Sequence, residues 1–344
     1  MYKTSLPLRF PYLLFVLSSL SVSANAETPS DQADDNFLFP DRRGVFSASL
    51  ENDLVAGEDN NYTNGVRFSW FSSEVGVPGW MERSAEKLPF FDASGNKRYG
   101  FSLGQSMFTP TDIERRSPDS RDRPYAGWTY GTVGLVSDRS DRMDSLQLQL
   151  GIVGPASLAG QTQDFVHDLI GSPDPQGWDN QINNEPGIAL MYQRKWRFLA
   201  ETSPGGFGVD ALPHIGGALG NVFTHANAGF TVRVGQDLGA DYGPPLIQPS
   251  LPGSDFFNPS QAWGWYLFAG LDGRAVARNI FLDGNTFEDS PSVNKNPLVG
   301  DAQFGLAFTY ETVRVAYTHV FRTKEFEGQR DPDSFGALTL SYRY

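Results

Sequence analysis

The sequence predicts a transmembrane antiparallel β-barrel of about twelve strands with a short helix in one long external loop, and three observations carry that expectation. Apolar and polar residues alternate with a period of two along many segments. The polar faces hold Gln, Ser, Gly and Arg at mid-strand, and the apolar faces are flanked by Tyr, Trp and Phe. A soluble β-sandwich also alternates, but aromatic girdles edging an apolar outside around a polar inside are the pattern of an outer-membrane barrel. No stretch reaches the roughly eighteen consecutive apolar residues of a spanning helix, which excludes a helical membrane protein.

In chain order, Lys3 and Arg9 precede an apolar run from Tyr12 to Val22 that ends at Ala24-Asn25-Ala26. This is the three-part pattern of a signal peptide, so residues 1–26 are expected to be removed after Ala26 on export to the bacterial outer membrane. Residues 27–43, polar and carrying Asp31, Asp34 and Asp35, read as a loose lead-in, and residues 44–344 as the barrel. Strands are expected near 45–54, 61–73, 97–108, 125–138, 143–153, 187–201, 208–220, 222–235, 261–284, 298–309, 312–325 and 333–344. In the fifth, Leu146, Leu148, Leu150 and Ile152 alternate with Ser145, Gln147, Gln149 and Gly151; in the last, Leu338, Leu340, Tyr342 and Tyr344 alternate with Ala337, Thr339, Ser341 and Arg343. An even number of strands puts both barrel ends on the periplasmic side. Loops 55–60, 109–124, 154–186, 285–297 and 326–332 and a turn near Gly220-Asn221 are then external. The internal connections 74–96 and 236–260 are longer than periplasmic turns usually are.

Composition narrows function. With 27 Lys+Arg against 40 Asp+Glu the formal charge is −13, and no Lys/Arg-rich block exists to hold a phosphate backbone, so a nucleic-acid partner is excluded. Absence of cysteine excludes disulfides and thiol catalysis. There is no zinc spacing and no Gly-x-Ser-x-Gly nucleophile element.

Three clusters at the external rim carry chemistry. Of four histidines, His214, His225 and His319 fall in strands, as lumen or girdle residues. His167 lies instead in the long external loop, where Phe165, Val166, Leu169 and Ile170 recur at helical spacing before a Gly171 cap. Gln163 and His167, four apart, share a face of that helix; the alternative for a lone helical histidine is a solvated surface residue. Glu51-Asn52-Asp53 and Asn61-Tyr62-Thr63-Asn64-Gly65 meet at the top of the first hairpin. They supply hard oxygen donors of the kind calcium takes, though the same residue types also build ordinary turns. Strict alternation from Phe46, Ala48 and Leu50 sends Asn52 outward and Asp53 inward, so one ion reaches both only if a bulge or the turn re-aims one. The loop after the third strand brings Arg115, Arg116, Arg121 and Arg123 to the exterior, suited to phosphate or to pairing with Asp112, Glu114, Asp119 and Asp122.

Several motifs in order carry a resemblance: Glu51-Asn52-Asp53, Tyr62-Thr63-Asn64-Gly65, Gly104-Gln105-x-x-Phe108-Thr109-Pro110, Asp122-Arg123-Pro124-Tyr125-Ala126-Gly127, Gly151-x-x-Gly154-Pro155, Gln163-x-x-x-His167-x-x-x-Gly171 and Gly177-Trp178-Asp179-Asn180-Gln181. With them the chain resembles the outer-membrane lipid A 3′-O-deacylase family over most of its mature length. The resemblance implies a twelve-stranded barrel that removes the 3′ acyloxyacyl chain from lipid A of lipopolysaccharide, dependent on calcium. It implies His167 as general base held by Gln163, Asn52 and Asp53 at the metal, Thr63 near metal or substrate, and Arg115 and Arg116 at the lipid A head group. Where the family pattern has an acidic residue six after the histidine, this chain has Pro173 with Asp174 beside it. The alternatives are a small porin or structural barrel, and an outer-membrane phospholipase.

Overall fold

The computed structural model describes residues 40–52, 61–201, 206–247, 249 and 253–344. The expected signal peptide, most of the lead-in and Asp53 therefore lie outside the described residues. Twelve strands close the barrel: β1 (Val45–Asn52), β2 (Asn61–Phe71), β3 (Asn96–Thr109), β4 (Ala126–Arg139), β5 (Arg142–Val153), β6 (Glu185–Trp196), β8 (Phe207–Gly220), β9 (Phe223–Gln236), β10 (Trp263–Asn279), β11 (Leu298–Tyr310), β12 (Val313–Arg322) and β13 (Asp333–Arg343). Each pairs antiparallel with its neighbours, β1 with β13 and β6 with β8 closing the ring. A thirteenth, four-residue strand, β7 (Phe198–Glu201), pairs only with the start of β8. No described helix is long and apolar enough to cross a membrane.

Two expected strands end early, for visible reasons. The strand expected over 187–201 breaks at Arg197, whose N–H donates to the Asp141 carbonyl and whose guanidinium donates to the carbonyls of Ser140 and Asp241, taking it out of the ladder. The strand expected over 261–284 stops at Asn279, whose side chain accepts from Phe281 N and caps the helical turn α3 (Ile280–Asp283). Ile280, Phe281 and Leu282 are all buried, and Phe281 stacks on Phe108 with ring centroids 4.2 Å apart.

The expected alternation reads directly in exposure. Phe46 and Leu50 on β1, and Leu338, Leu340 and Tyr342 on β13, are exposed to the lipid side, while Ser47, Ser49, Thr339 and Ser341 are buried. Among the latter, Ser47 bonds Ser341 at 2.8 Å across the β1–β13 seam. Residues 40–43, part of the expected loose lead-in, are tied down instead: Asp41 pairs with Arg98 at 2.6 Å and Arg343 at 2.7 Å.

The two long internal connections are not a missing hairpin. Residues 72–95 fold back along the outside of the wall and include helix α1 (Gly79–Ala85), whose Met81 and Ala85 pack with Phe91 and Leu135. The described residues between 237 and 262 enter the lumen. Asp241 pairs with Arg233 and Arg314, Asp255 with Arg67 at 2.6 Å, and the Pro249 carbonyl accepts from Arg274 and Arg322. Ile247 N donates to Glu51 at 2.6 Å. These partners come from β1, β2, β9, β10 and β12, so the segment is surrounded by wall along its length. The arginines that make the lumen polar are neutralised by carboxylates, and a buried guanidinium demands that pairing.

Candidate active site on the outer wall

The site is built on the lipid-facing side of the rim, not in the lumen. Helix α2 (Ala159–Ile170) follows Gly154-Pro155-Ala156-Ser157-Leu158 and ends at Gly171, whose φ of +74° lets its N–H reach the His167 carbonyl at 2.8 Å. It packs over β3 and β4. At Gly127 a Cβ would collide with Ser157 Oγ and with Ala159 Cβ, so only glycine admits the helix this close to the wall. Two polar residues on the lipid-facing phase hold the turn that leads into it: Gln105 Nε2 and Thr129 Oγ1 donate to the Ser157 carbonyl at 2.8 and 2.7 Å.

Register places the hairpin cluster in the same outward row. Asn52 pairs with Asn64, Asn64 with Met107 and Met107 with Gly127. Three inter-strand spacings, about 14 Å, separate Asn52 from the strand under α2. Asn52 keeps the outward phase of Phe46 and Leu50. A bulge lies in the β2–β3 pairing between Tyr62 and Asn64, with Thr63 its unpaired residue, while β1 pairs with β2 in unbroken register as far as Asn52. Asn64 directly opposes Asn52, so two amide side chains sit side by side on the outer face.

On α2, Ala159, Gly160, Gln163 and His167 form the buried face, while Phe165 is 69% exposed. His167 is therefore not the solvated surface residue of the alternative reading. Its Nδ1 lies 2.6 Å from the Pro173 carbonyl, an acceptor only, so Nδ1 carries the proton and Nε2 the lone pair. Gln163 is oriented by Trp178, whose indole N–H, a donor only, reaches Gln163 Oε1 at 2.8 Å; this turns the Gln163 amide N–H towards His167 Nε2, at a long 3.5 Å. The firm hold on the imidazole is thus the backbone carbonyl at the position where the family pattern has an acidic side chain. Trp178 rests on Tyr125, centroids 4.9 Å apart, and Tyr125 donates to the Ile113 carbonyl. On the helix itself, Asp164 has its pKa pushed up by partial burial and then by the carboxylates of Asp174 and Asp168.

Arg115 and Arg116 are exposed on the neighbouring loop, which is held to the His167 loop by Gln176 N donating to Ile113 O and Asn180 donating to Arg116 O. Arg121 pairs with Asp119, and this hydrogen-bonded partner holds the Asp119 carboxyl well below its usual range. Arg123 does not face the exterior as the sequence suggests. It is buried against the Phe108 ring and pairs with Glu325. His214 is a buried lumen residue on Asp272, and His319 lies among Phe304, Phe321 and Ser334. Sequence reasoning missed Gln105, Thr129 and Trp178 as parts of the site. For the first two a signal existed: each is a polar residue continuing an apolar, lipid-facing alternation.

A closed twelve-strand barrel with an apolar outer wall and a polar lumen is an outer-membrane barrel, here with a helix-borne imidazole at its lipid-facing rim. The chain belongs to the outer membrane protein LpxR family, which matches residues 13–344. Among solved structures it is similar to LpxR from Salmonella typhimurium, with TM-score 0.72 and 18% identity over 87% of this chain and 99% of that one, a likeness of fold. Weaker likenesses include the β-domain of a Bordetella autotransporter, TM-score 0.38 at 12% identity over 89% and 98% of the two chains. Another is the translocator domain of the autotransporter NalP from Neisseria meningitidis, TM-score 0.35 at 9% identity over 92% of each. No curated protein matches the sequence.

Proposed function

We propose that this chain is a calcium-dependent outer-membrane ester hydrolase that removes the 3′-linked acyloxyacyl chain from lipid A, with His167 as general base. The observation that carries the reading, beside family membership, is a buried imidazole on the lipid-facing rim with its Nδ1 proton committed to Pro173 O at 2.6 Å and its Nε2 lone pair met only by the Gln163 amide at a long 3.5 Å. Nε2 takes a proton from water as the water oxygen bonds to the ester carbonyl carbon. The same nitrogen then returns the proton to the departing sugar oxygen, leaving a free fatty acid and the 3′ hydroxyl. Gln163, fixed by Trp178, limits the tilt of the ring. No serine or cysteine nucleophile is needed.

The outward amides of Asn52 and Asn64 are hard oxygen donors of the class calcium takes, and so fit that ion. Asn52 and Asp53, with Thr63 beside them, would hold it. When bound, calcium would supply positive charge that polarises the ester carbonyl. Arg115 and Arg116, exposed and with no side-chain hydrogen bond or ion pair among the described residues, would meet the phosphates of the lipid A head group. A porin reading fits poorly with a lumen occupied by residues 237–262.

The test is mass spectrometry of lipid A from cells expressing the wild-type chain or His167→Ala, with calcium present or chelated. Loss of the acyloxyacyl mass is expected only for wild type with calcium. Unchanged lipid A beside hydrolysed phospholipid would favour a phospholipase, and unchanged lipids of both kinds would overturn the hydrolase.

A further inference from the structure

The outer wall of the barrel is not the same height all round. On β11 the lipid-facing residues run from Leu298 through Phe304, Leu306 and Phe308 to Tyr310, all exposed. Twelve residue steps at about 3.4 Å and a tilt near 40° make about 31 Å along the membrane normal. β8 from Phe207 to Leu219 and β10 from Trp263 to Ala275 have the same reach.

Across the ring the band is cut from both ends. At the outer end Asn52, Asn64, Gln105 and Thr129 occupy lipid-facing positions, and α2 with its leading turn covers the wall above β3 and β4. At the inner end Asp144 and Arg194, on lipid-facing positions of β5 and β6, pair at 2.8 Å, and Arg139 and Arg142 pair with Asp92. Above them α1 and Phe91 lie against Leu135, Leu146 and Tyr192, with Trp80 61% exposed as an interfacial aromatic. What remains on β5 is Leu146 to Ile152, six steps or about 16 Å, and on β1 Phe46 to Leu50, about 10 Å. The middles of the two walls, β4 and β10, stand five strands apart in a twelve-strand ring, nearly across it, and the walls meet where β6 pairs with β8. Tilting the barrel moves the bands up or down but does not equalise their lengths. Against an ordinary apolar band of about 25 Å, one wall is short and the other is long.

We infer that the wall carrying α2 is a lipid-interaction surface that thins the surrounding bilayer to about half the thickness met by β8–β11. Polar groups at lipid-facing depth draw head groups and water down beside them: the roughly 9 Å between a 16 Å band and an ordinary 25 Å one is met at a small mismatch cost per ångström, whereas each of those groups buried in hydrocarbon carries its own desolvation cost. The partner is the outer-leaflet glycolipid itself, whose ester linkages sink towards His167 without the lipid leaving the membrane. That consequence rests on the hydrolase reading; the bilayer shape does not.

Because the chain has no cysteine, single cysteines can be spin-labelled without background. Leu146→Cys, Leu148→Cys, Leu150→Cys and Ile152→Cys report on β5, and Leu298→Cys, Phe304→Cys, Leu306→Cys and Tyr310→Cys on β11. Each labelled protein is reconstituted in phosphatidylcholine vesicles without lipid A, its folding checked by heat-modifiable gel mobility. Collision with oxygen and with a water-soluble nickel chelate is then measured by electron paramagnetic resonance. The oxygen-rich, nickel-poor band should be about half as long on β5 as on β11, with Ile152 nickel-accessible. Equal bands, whether level or displaced, would overturn the inference while leaving the His167 assignment untouched.

Discussion

Trp178→Phe isolates the device that sets the Gln163 amide. The ring stays on Tyr125, but the indole N–H that reaches Gln163 Oε1 at 2.8 Å is lost, and that oxygen belongs to a side chain only 1% exposed. An unsatisfied buried acceptor costs about 1–3 kcal/mol, and the amide can recover part of this by turning its oxygen away from the substituted phenyl ring. Turning presents an acceptor, instead of an N–H, to the Nε2 lone pair, which repels the geometry in which His167 is productive. A penalty of about 1–2 kcal/mol on the chemical step is a fall of about 5- to 30-fold in kcat. KM should be unmoved, because Trp178 meets Gln163 and Tyr125 and not the head-group loop arginines. The assay is initial-rate release of the acyloxyacyl chain from purified lipid A, quantified by mass spectrometry across substrate concentrations. Gln163→Ala and the double variant complete a cycle: once Gln163 is gone, Trp178→Phe should cost little more. Full activity in Trp178→Phe, a change confined to KM, or additive losses would refute the orienting role.

Gly127→Ala should leave the barrel folded but push α2 off the wall, since the new methyl meets Ser157 and Ala159; activity should fall about a hundredfold, with normal heat-modifiable mobility separating this from misfolding. Asp164 has a raised pKa in the folded state, so its ionised form costs stability above that pKa and the cost vanishes as pH falls through it. Asp164→Asn should therefore slow hydrogen exchange in α2 at pH 7, with wild type and variant converging in acid. Asp255→Ala strips Arg67 of its buried partner at 2.6 Å and should destabilise the fold by about 3–5 kcal/mol, read as a lower thermal midpoint. Wild-type protein in planar bilayers should give no steady open-channel current, because residues 237–262 occupy the lumen; a persistent porin-like conductance would contradict that placement.

The barrel was legible because its determinant is local. Period-two alternation decides which face of a strand meets lipid, so β1, β5, β11 and β13 could be placed within a residue or two from side-chain type alone. The α2 helix and its Gly171 cap were legible for the same reason, since helical spacing and a glycine at positive φ are local signals. Composition and the missing cysteines excluded nucleic-acid binding and thiol chemistry without any fold.

Tertiary structure decided what local pattern cannot encode. Residues 237–262 carry no periodicity, and only the ring of arginines and acids from distant strands, Arg67, Arg274, Arg314 and Arg322 among them, draws them into the lumen. Arg123 and Arg116 read alike in sequence, yet one is buried on Phe108 with Glu325 from 202 residues away and the other is exposed. His167 gains its tautomer from a proline carbonyl, an atom every residue has, and Gln105 and Thr129 become helix anchors only because strand register sets them beneath Ser157. Alternation and spacing act within one strand or one turn, whereas ion pairing, closure and register depend on which segments the closed ring brings side by side.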